Sequence, residues 1–371
     1  MGCILSFETS ERAGLRETAG VFSQIIGLCR RLGVRQSRIF LTRFACKPVS
    51  SFKWFRFLAG FRRRHGMGCP HDDLMRKKPY KFFALGLPGH RGFDLLVDHF
   101  NLAAVGLPRE MLEAAWRGRI MHIGQVTGRR DAYALTMRLS VHSGTSHEGA
   151  FSIRLTRQSD RLDLVRLSFI LYPLGAGPLS ASPLGTGRYT VAIGGLQGSK
   201  EPKAKRAVIE ATRDLCGLRP KDAALLVMEG IAIGGGADHV LGVCDARHTI
   251  NFRSPKKRAR KRADMDQYWI DRGGCQGGEF GFAMPVRSRD MAASLSRRDV
   301  YKFEFLEFGK RLFASMPGLN EVPLDLPVER SSSDEMWRSA HHCRMAASRH
   351  FTLPGARIRP STRQEDYISF G

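Results

Sequence analysis

Negative charge is scarce in this sequence. Only 35 Asp and Glu stand against 59 Lys and Arg, a formal charge of +24 at pH 7 over 371 residues. The shortage favours polyanionic partners: nucleic acid, anionic lipid headgroups, lipopolysaccharide or acidic proteins. A basic surface inherited from an arginine-rich composition is the alternative. The eight cysteines form no Cys-x-x-Cys pair and their spacing is irregular. In a chain this long they indicate no disulfide framework and point to a reducing, cytoplasmic compartment. Cys216 and Cys244, in apolar contexts, are expected to be buried thiols.

Long apolar runs are missing too. The longest, Ala223–Ala237, is broken by Glu229 and falls short of the ~20 residues that a membrane span needs. No secretory apolar segment with a cleavage site begins the chain. Met1-Gly2-Cys3-Ile4-Leu5-Ser6 fits the pattern for N-myristoylation, which is short and often accidental. There is no Gly-x-Ser-x-Gly elbow and no His-Glu-x-x-His helix, so common hydrolase classes lose support. Cys69-Pro70-His71-Asp72-Asp73 and His341-His342-Cys343 hold ligand types without the paired spacing of a zinc site. No internal repeat is visible. What the chain does have is 43% hydrophobic residues, enough for a core.

The pattern along the chain divides it into a basic helical region over 1–75, an α+β domain over 76–320 and a disordered tail over 321–371. The first 80 residues carry 16 basic and 5 acidic side chains, 16 − 5 = +11. Helices are expected over Glu11–Leu32 and Ser51–Arg64. In the second, Phe52, Phe55 and Leu58 either dock on the body or lie on anionic membrane beside the arginines. Gly92–Gly106 and Pro108–Trp116 follow as helices. The period then becomes two. Tyr133, Leu135, Met137, Leu139 and Val141 alternate with Ala134, Thr136, Arg138 and Ser140, predicting a half-buried strand. Phe151–Leu155 and Leu162–Tyr172 continue an antiparallel meander, with Arg119–Val126 as a fourth candidate. Tyr189–Ile193 is a strand. Helices from Lys203 and from Pro220 come next, then a short strand, His239–Cys244, and a helix over Arg297–Met316. The fold class is therefore α+β, an antiparallel sheet flanked by helices.

Three groups of residues could carry chemistry. Gly194, Gly195 and Gly198 follow a strand and precede a helix, so their N–H groups could meet a phosphate, with Gln197 and Lys200 beside them; a plain connection is the simpler reading. Asp264 and Asp266, two apart after the basic run Arg253–Arg262, could share a site as general acid or base, pair with that run, or cap a helix. Glu148 is a third candidate carboxylate, with a solvated turn as its other reading. The run Arg253–Arg262 holds seven cations and no acid, suited to non-specific nucleic-acid contacts.

Three phrases in fixed order carry a family resemblance: Gly195-Leu196-Gln197-Gly198, Gly217-Leu218-Arg219-Pro220-Lys221 and Ala263-Asp264-Met265-Asp266-Gln267-Tyr268-Trp269. With Lys78-Pro79-Tyr80, His99-Phe100, Glu148-Gly149 and Ser296-Arg297-Arg298, they resemble the VirK/YbjX family of bacterial proteins over roughly Lys77 to Asn320. The chain departs from the family at Ala150, where a second acid is usual, and at Met265, where an aromatic is usual. The resemblance implies a Gram-negative protein that supports the cell envelope or virulence, cytoplasmic or peripheral at the inner membrane, its basic surface meeting anionic lipid or a polyanionic envelope component, with no catalytic residue to transfer. The order strand, glycine segment, helix, strand is also similar to the core of GNAT-type acyltransferases. That likeness implies acyl-CoA bound at Gly195, Gln197, Gly198 and Lys200, with Glu148, Asp264 or Asp266 as general base. An extra helix before the closing strand and an unmatched glycine pattern are the departures.

Overall fold

The N-terminal helices form because aromatic residues recur at helical spacing among arginines. The computed structural model describes residues 20–140, 145–174, 189–199, 201–258, 264–286 and 296–313, all within one compact unit, Met1–Pro317. Helix α1 covers residues 20–31, followed by α2 (Val34–Cys46) and α3 (Pro48–Arg64). Pro48 opens α3, where its missing N–H costs nothing. Trp54, Phe55, Leu58 and Phe61 are buried, and Phe52 is partly so. The docked reading of this helix therefore holds. Its rings meet α5 (Arg91–Gly106) and α6 (Arg109–Trp116): Trp54 packs against Phe100, and Phe61 stacks on Trp116. The short α4 (Asp72–Met75) lies between, tied to α3 by Trp54 Nε1 donating to the Leu74 carbonyl at 3.0 Å.

A sheet of eight strands follows. The strands are β1 (Met121–Thr127), β2 (Ala132–Leu139), β3 (Phe151–Arg157), β4 (Asp163–Pro173), β5 (Tyr189–Gly198), β6 (His239–Val243), β7 (Cys275–Gly277) and β8 (Gly281–Pro285). Their spatial order is β1-β2-β3-β4-β5-β6-β8-β7. Every neighbouring pair is antiparallel except β5 and β6, which run parallel. A parallel neighbour needs a crossover. Here α7 (Ala204–Asp214) and α8 (Pro220–Gly234) supply it. Gly217, at φ +87°, turns the chain between them. Two short helices, α9 (Pro255–Arg258) and α10 (Met265–Ile270), precede β7, and α11 (Arg297–Leu312) ends the described chain.

One sheet face is apolar and carries the crossover helices. Tyr133, Leu135 and Met137 pair with Arg157, Leu155 and Ile153. On this side Tyr133 donates to Asp214 at the end of α7, at 2.8 Å. Helix α8 lies against β4 and β5, and α11 crosses α8 where Gly230 faces Gly309. A methyl group on either glycine would strike the other helix's backbone, so the crossing is closer than side chains permit.

The helical and meander expectations match these elements, with ends shifted by a few residues. The glycine segment does not. Gly194, Gly195 and Gly198 lie inside β5, which pairs with β4 to its end. The glycines serve a bulge: Ser168 faces Gly195 while Phe169 faces Ile193, leaving Gly194 as the extra residue. The hairpin β7–β8 was masked in sequence by its glycines. Cys216 and Cys244 are half-buried, not fully buried, because each sits where a regular element has just ended. Residues 321–371, 11–19 and Lys200 lie outside the described residues. Among the described residues, no helix is long and apolar enough to cross a membrane.

Candidate functional site

Opposite the crossover helices, the sheet face is polar. The register sets two rows across four strands: Thr136–Arg154–Arg166–Gln197 and, next to it, Arg138–Ser152–Ser168–Gly195. Strand alternation places all eight on one face.

Glu148 lies at the β5 end of these rows. It is 5% exposed, so the solvated-turn reading fails. A side chain at Gly195 would collide with its carboxylate, and one at Gly194 with its carbonyl. The two glycines therefore make the space that Glu148 fills. Gln197 Nε2 donates to both carboxylate oxygens, at 2.9 and 2.8 Å. His248 Nδ1 accepts from the Ile250 N–H at 3.1 Å, so in the neutral ring Nε2 carries the proton. That nitrogen is 3.9 Å from Glu148 Oε1, longer than a hydrogen bond but close enough for electrostatic attraction.

The turn that presents Glu148 is clamped from several sides. The buried Lys77 ammonium donates to the Gly149 carbonyl at 2.7 Å and to Ser146 at 3.1 Å, and lies over the Phe82 ring. The Phe83 N–H donates to the His147 carbonyl at 2.7 Å. Ser140 Oγ reaches the Thr145 carbonyl at 3.0 Å and Ser168 Oγ at 3.1 Å. Burial pushes Lys77 down to about 7. Burial, with Lys78 and Lys77 nearby, pushes His147 down to about 3. His99 is also pushed to about 3 by burial and then by Lys77. Its Nδ1 accepts from the Leu171 N–H at 2.9 Å, at the edge of β4 beyond the last β3 pair, Phe151–Phe169.

The β5–β6 ladder holds only at Ala192–Leu241 and Ile193–Gly242. β6 ends one residue later, at Val243, and among the described residues no strand pairs with the edge of β5 from Gly194 to Gly198 on that side; of that edge, Gly198 is exposed and Gln197 half-buried. A cleft of about 870 Å³ opens at the end of β5, lined by Gly198 and Ser199 with Arg154, Arg161, Arg166 and Lys203, and by three acids.

Of the residues singled out in sequence, Glu148, Gly195 and Gln197 thus converge, and Gly198 lines the adjoining cleft. Asp264 and Asp266 are engaged elsewhere. Asp264 caps α10, accepting from the Gln267 N–H at 2.8 Å, and is exposed. Asp266 accepts from the Asp245 N–H at 2.7 Å, tethering α10 to the chain after β6. The capping role of Asp264 was one of the readings open in sequence. Part of the run Arg253–Arg262 lies outside the described residues. No cluster that could hold a metal ion occurs among the described residues. Sequence reasoning missed His248, Lys77 and the arginine row. Arg138 and Arg154 were visible as cations on alternating strands, but His248 follows β6 with no local signal.

The family model for "Protein of unknown function (DUF535)" matches residues 33–302. The Uncharacterized protein YbjX of Escherichia coli strain K12 is 22% identical over 253 residues, covering 67% of this chain and 72% of that protein. No solved structure matches the chain.

Buried bases that charge only on unfolding make stability depend on pH. Since native His99 holds its proton only below about 3, while the unfolded chain binds one near 6.5, stability falls as pH drops from about 6.5 towards 3. At pH 5.5 the loss from this residue is on the order of 1 kcal/mol relative to high pH. Lys77 acts higher up: with its native value near 7 against about 10.4 unfolded, it lets stability rise with pH between the two. Urea denaturation at pH 7.5 and 5.5 should show a smaller loss on acidification in His99→Asn, whose side-chain oxygen can still accept from Leu171. An equal loss in both proteins would contradict this assignment.

Proposed function

The chain belongs to the DUF535 family, the VirK/YbjX family that its motifs resemble, and from that premise we propose that it is an acyltransferase that takes its acyl group from acyl-CoA. The observation that carries this reading is the early end of the β5–β6 ladder, which leaves the last residues of β5 unpaired on that side beside a buried carboxylate. An extended acyl-pantetheine arm has amide groups that can take up strand-edge N–H and C=O groups, as an added strand would. Gly195, Gln197 and Gly198 form that edge. Lys203, at the start of α7, with Arg161 in the same cleft, offers positive charge for the phosphates of CoA. Lys200 belongs to the same connection in sequence. The parallel β5–β6 pair joined by crossover helices also supports the GNAT-like reading, as an analogy of fold.

In this reading Glu148 is the general base. It takes the proton of the acceptor's amine or hydroxyl, directly or through a water, as that atom attacks the thioester carbonyl. The C–S bond then breaks, and the departing thiolate is protonated from solvent. Gln197 holds both oxygens of Glu148 in one orientation, and His248 stabilises its charge. In this mechanism strand-edge N–H groups of β5 donate to the developing oxyanion. Replacing a general base typically lowers the rate by 10²–10⁴-fold. Glu148→Gln should therefore keep wild-type thermal stabilisation by CoA, with release of free thiol from acetyl-CoA at least about 100-fold slower. Equal thiol release in both proteins would remove Glu148 from this role, and no stabilisation of wild type by millimolar CoA would sink the reading.

A second reading concerns location. Phe22, Ile26, Val34, Leu41 and Val49 are exposed on α1–α3, interleaved with Arg30, Arg35, Arg38 and Lys47. Apolar side chains among cations suit the surface of an anionic bilayer, consistent with peripheral work at an envelope membrane. Flotation with vesicles containing phosphatidylglycerol at physiological salt should carry the wild-type chain and lose a variant with Val34→Ser, Leu41→Ser and Val49→Ser. Equal flotation of the two, or none at all, would rule the surface out.

A further inference from the structure

The polar face holds more positive charge than its neighbours neutralise. Arg154 and Arg166 are partners across the β3–β4 ladder, and Arg138 stands in the adjoining row. Asp163 serves two of the three: Arg154 Nη1 reaches it at 3.0 Å and Arg166 Nη2 at 3.1 Å. Arg138 has no hydrogen-bond or ion-pair partner among the described residues. The other carboxylate whose field reaches Arg138 is Asp73, which is bonded by Arg76. Counting the three arginines and Asp163, the cluster carries 3 − 1 = +2.

These cations are not spread in solvent. The side chains of Arg154 and Arg166 are 17% and 20% exposed, and Arg154 Nε is buried without a partner. Burial, followed by the field of Arg166, lowers both Arg138 and Arg154 from the ordinary arginine value. A half-buried group of like charges is costly unless an anion compensates it. Guanidinium groups are planar forks that match the oxygens of phosphate or carboxylate. The charge decides between these two: a carboxylate brings −1, whereas a phosphate monoester brings about −1.5 to −2 at pH 7 and balances the cluster. In the register, Arg166 is paired with Gln197, which holds Glu148. A group bound on the arginines is therefore anchored one strand away from the candidate base.

We infer that Arg138, Arg154 and Arg166 form a binding site for a phosphate monoester carried by the acceptor substrate, which they hold on the polar sheet face beside Glu148. The inference rests on the acyl-transfer reading for the word acceptor; the anion site itself stands on the cluster alone. Arg138 is the diagnostic residue, because its replacement leaves the bonds of Asp163 to Arg154 and Arg166 in place.

Calorimetric titration with inorganic phosphate at pH 7.5, and with acetate at equal ionic strength, tests the site on wild type, Arg138→Gln and the control Arg64→Gln in α3. Phosphate should bind wild type and the control alike, at least tenfold more weakly to Arg138→Gln, and more tightly than acetate. Equal phosphate affinity in wild type and Arg138→Gln, no phosphate binding to wild type, or acetate binding as tightly as phosphate would overturn the site. Saturating CoA distinguishes the source: phosphate binding that persists supports an acceptor phosphate, while displacement would assign the cluster to CoA and overturn the inference. If CoA binds none of the proteins yet phosphate affinity depends on Arg138, the acyl-transfer reading falls and the anion site remains.

Discussion

A carboxylate buried against a strand that has no side chains to oppose it is the constraint on which the rest of the site depends. Glu148 can sit on β5 only because Gly194 and Gly195 leave the room. Burying an ionised carboxylate is costly unless it is bonded, and Gln197 supplies two of the bonds from the same strand. The turn before β3 must then be held down, which Lys77, Phe83 and Ser140 do. Those residues come from the segment after α4 and from the end of β2, where Ser140 follows Leu139, so the N-terminal helices reach the site through the segment they position.

The same sheet has two very different faces. Helices α7, α8 and α11 cover the apolar one, and burial there is a favourable contribution to folding. The polar one keeps arginines at spacings that packing does not require. A net positive field over the whole chain explains long-range attraction of anions. It does not explain why three of the arginines are half-buried together, opposite the stabilising core and next to Glu148.

Much of the architecture was legible in sequence because its periods are clean. The alternation in Tyr133–Leu139, the apolar stripe of Pro220–Gly234 and the stop at Gly217 each follow from local physics. The glycines of β5 misled for a local reason as well. Glycine more often marks a turn than a strand, and only the partner, Glu148, distant in sequence, shows why they lie in a ladder. Glu148 and Gln197 were recognisable as candidates, while Asp264 and Asp266 turned out to be occupied with a cap and a tether. His248 and the pairing of Arg154 with Arg166 depend on strand order and register, which no single segment encodes.

The central claim is that the open edge of β5 receives an extended thioester beside Glu148. Amide hydrogen exchange of residues 194–198, followed with and without a saturating non-hydrolysable acyl-CoA analogue, tests it most directly. The account predicts slower exchange at that edge in the complex, with the amides paired to β4 little changed. Unchanged exchange at residues 194–198 while the analogue is bound would contradict it.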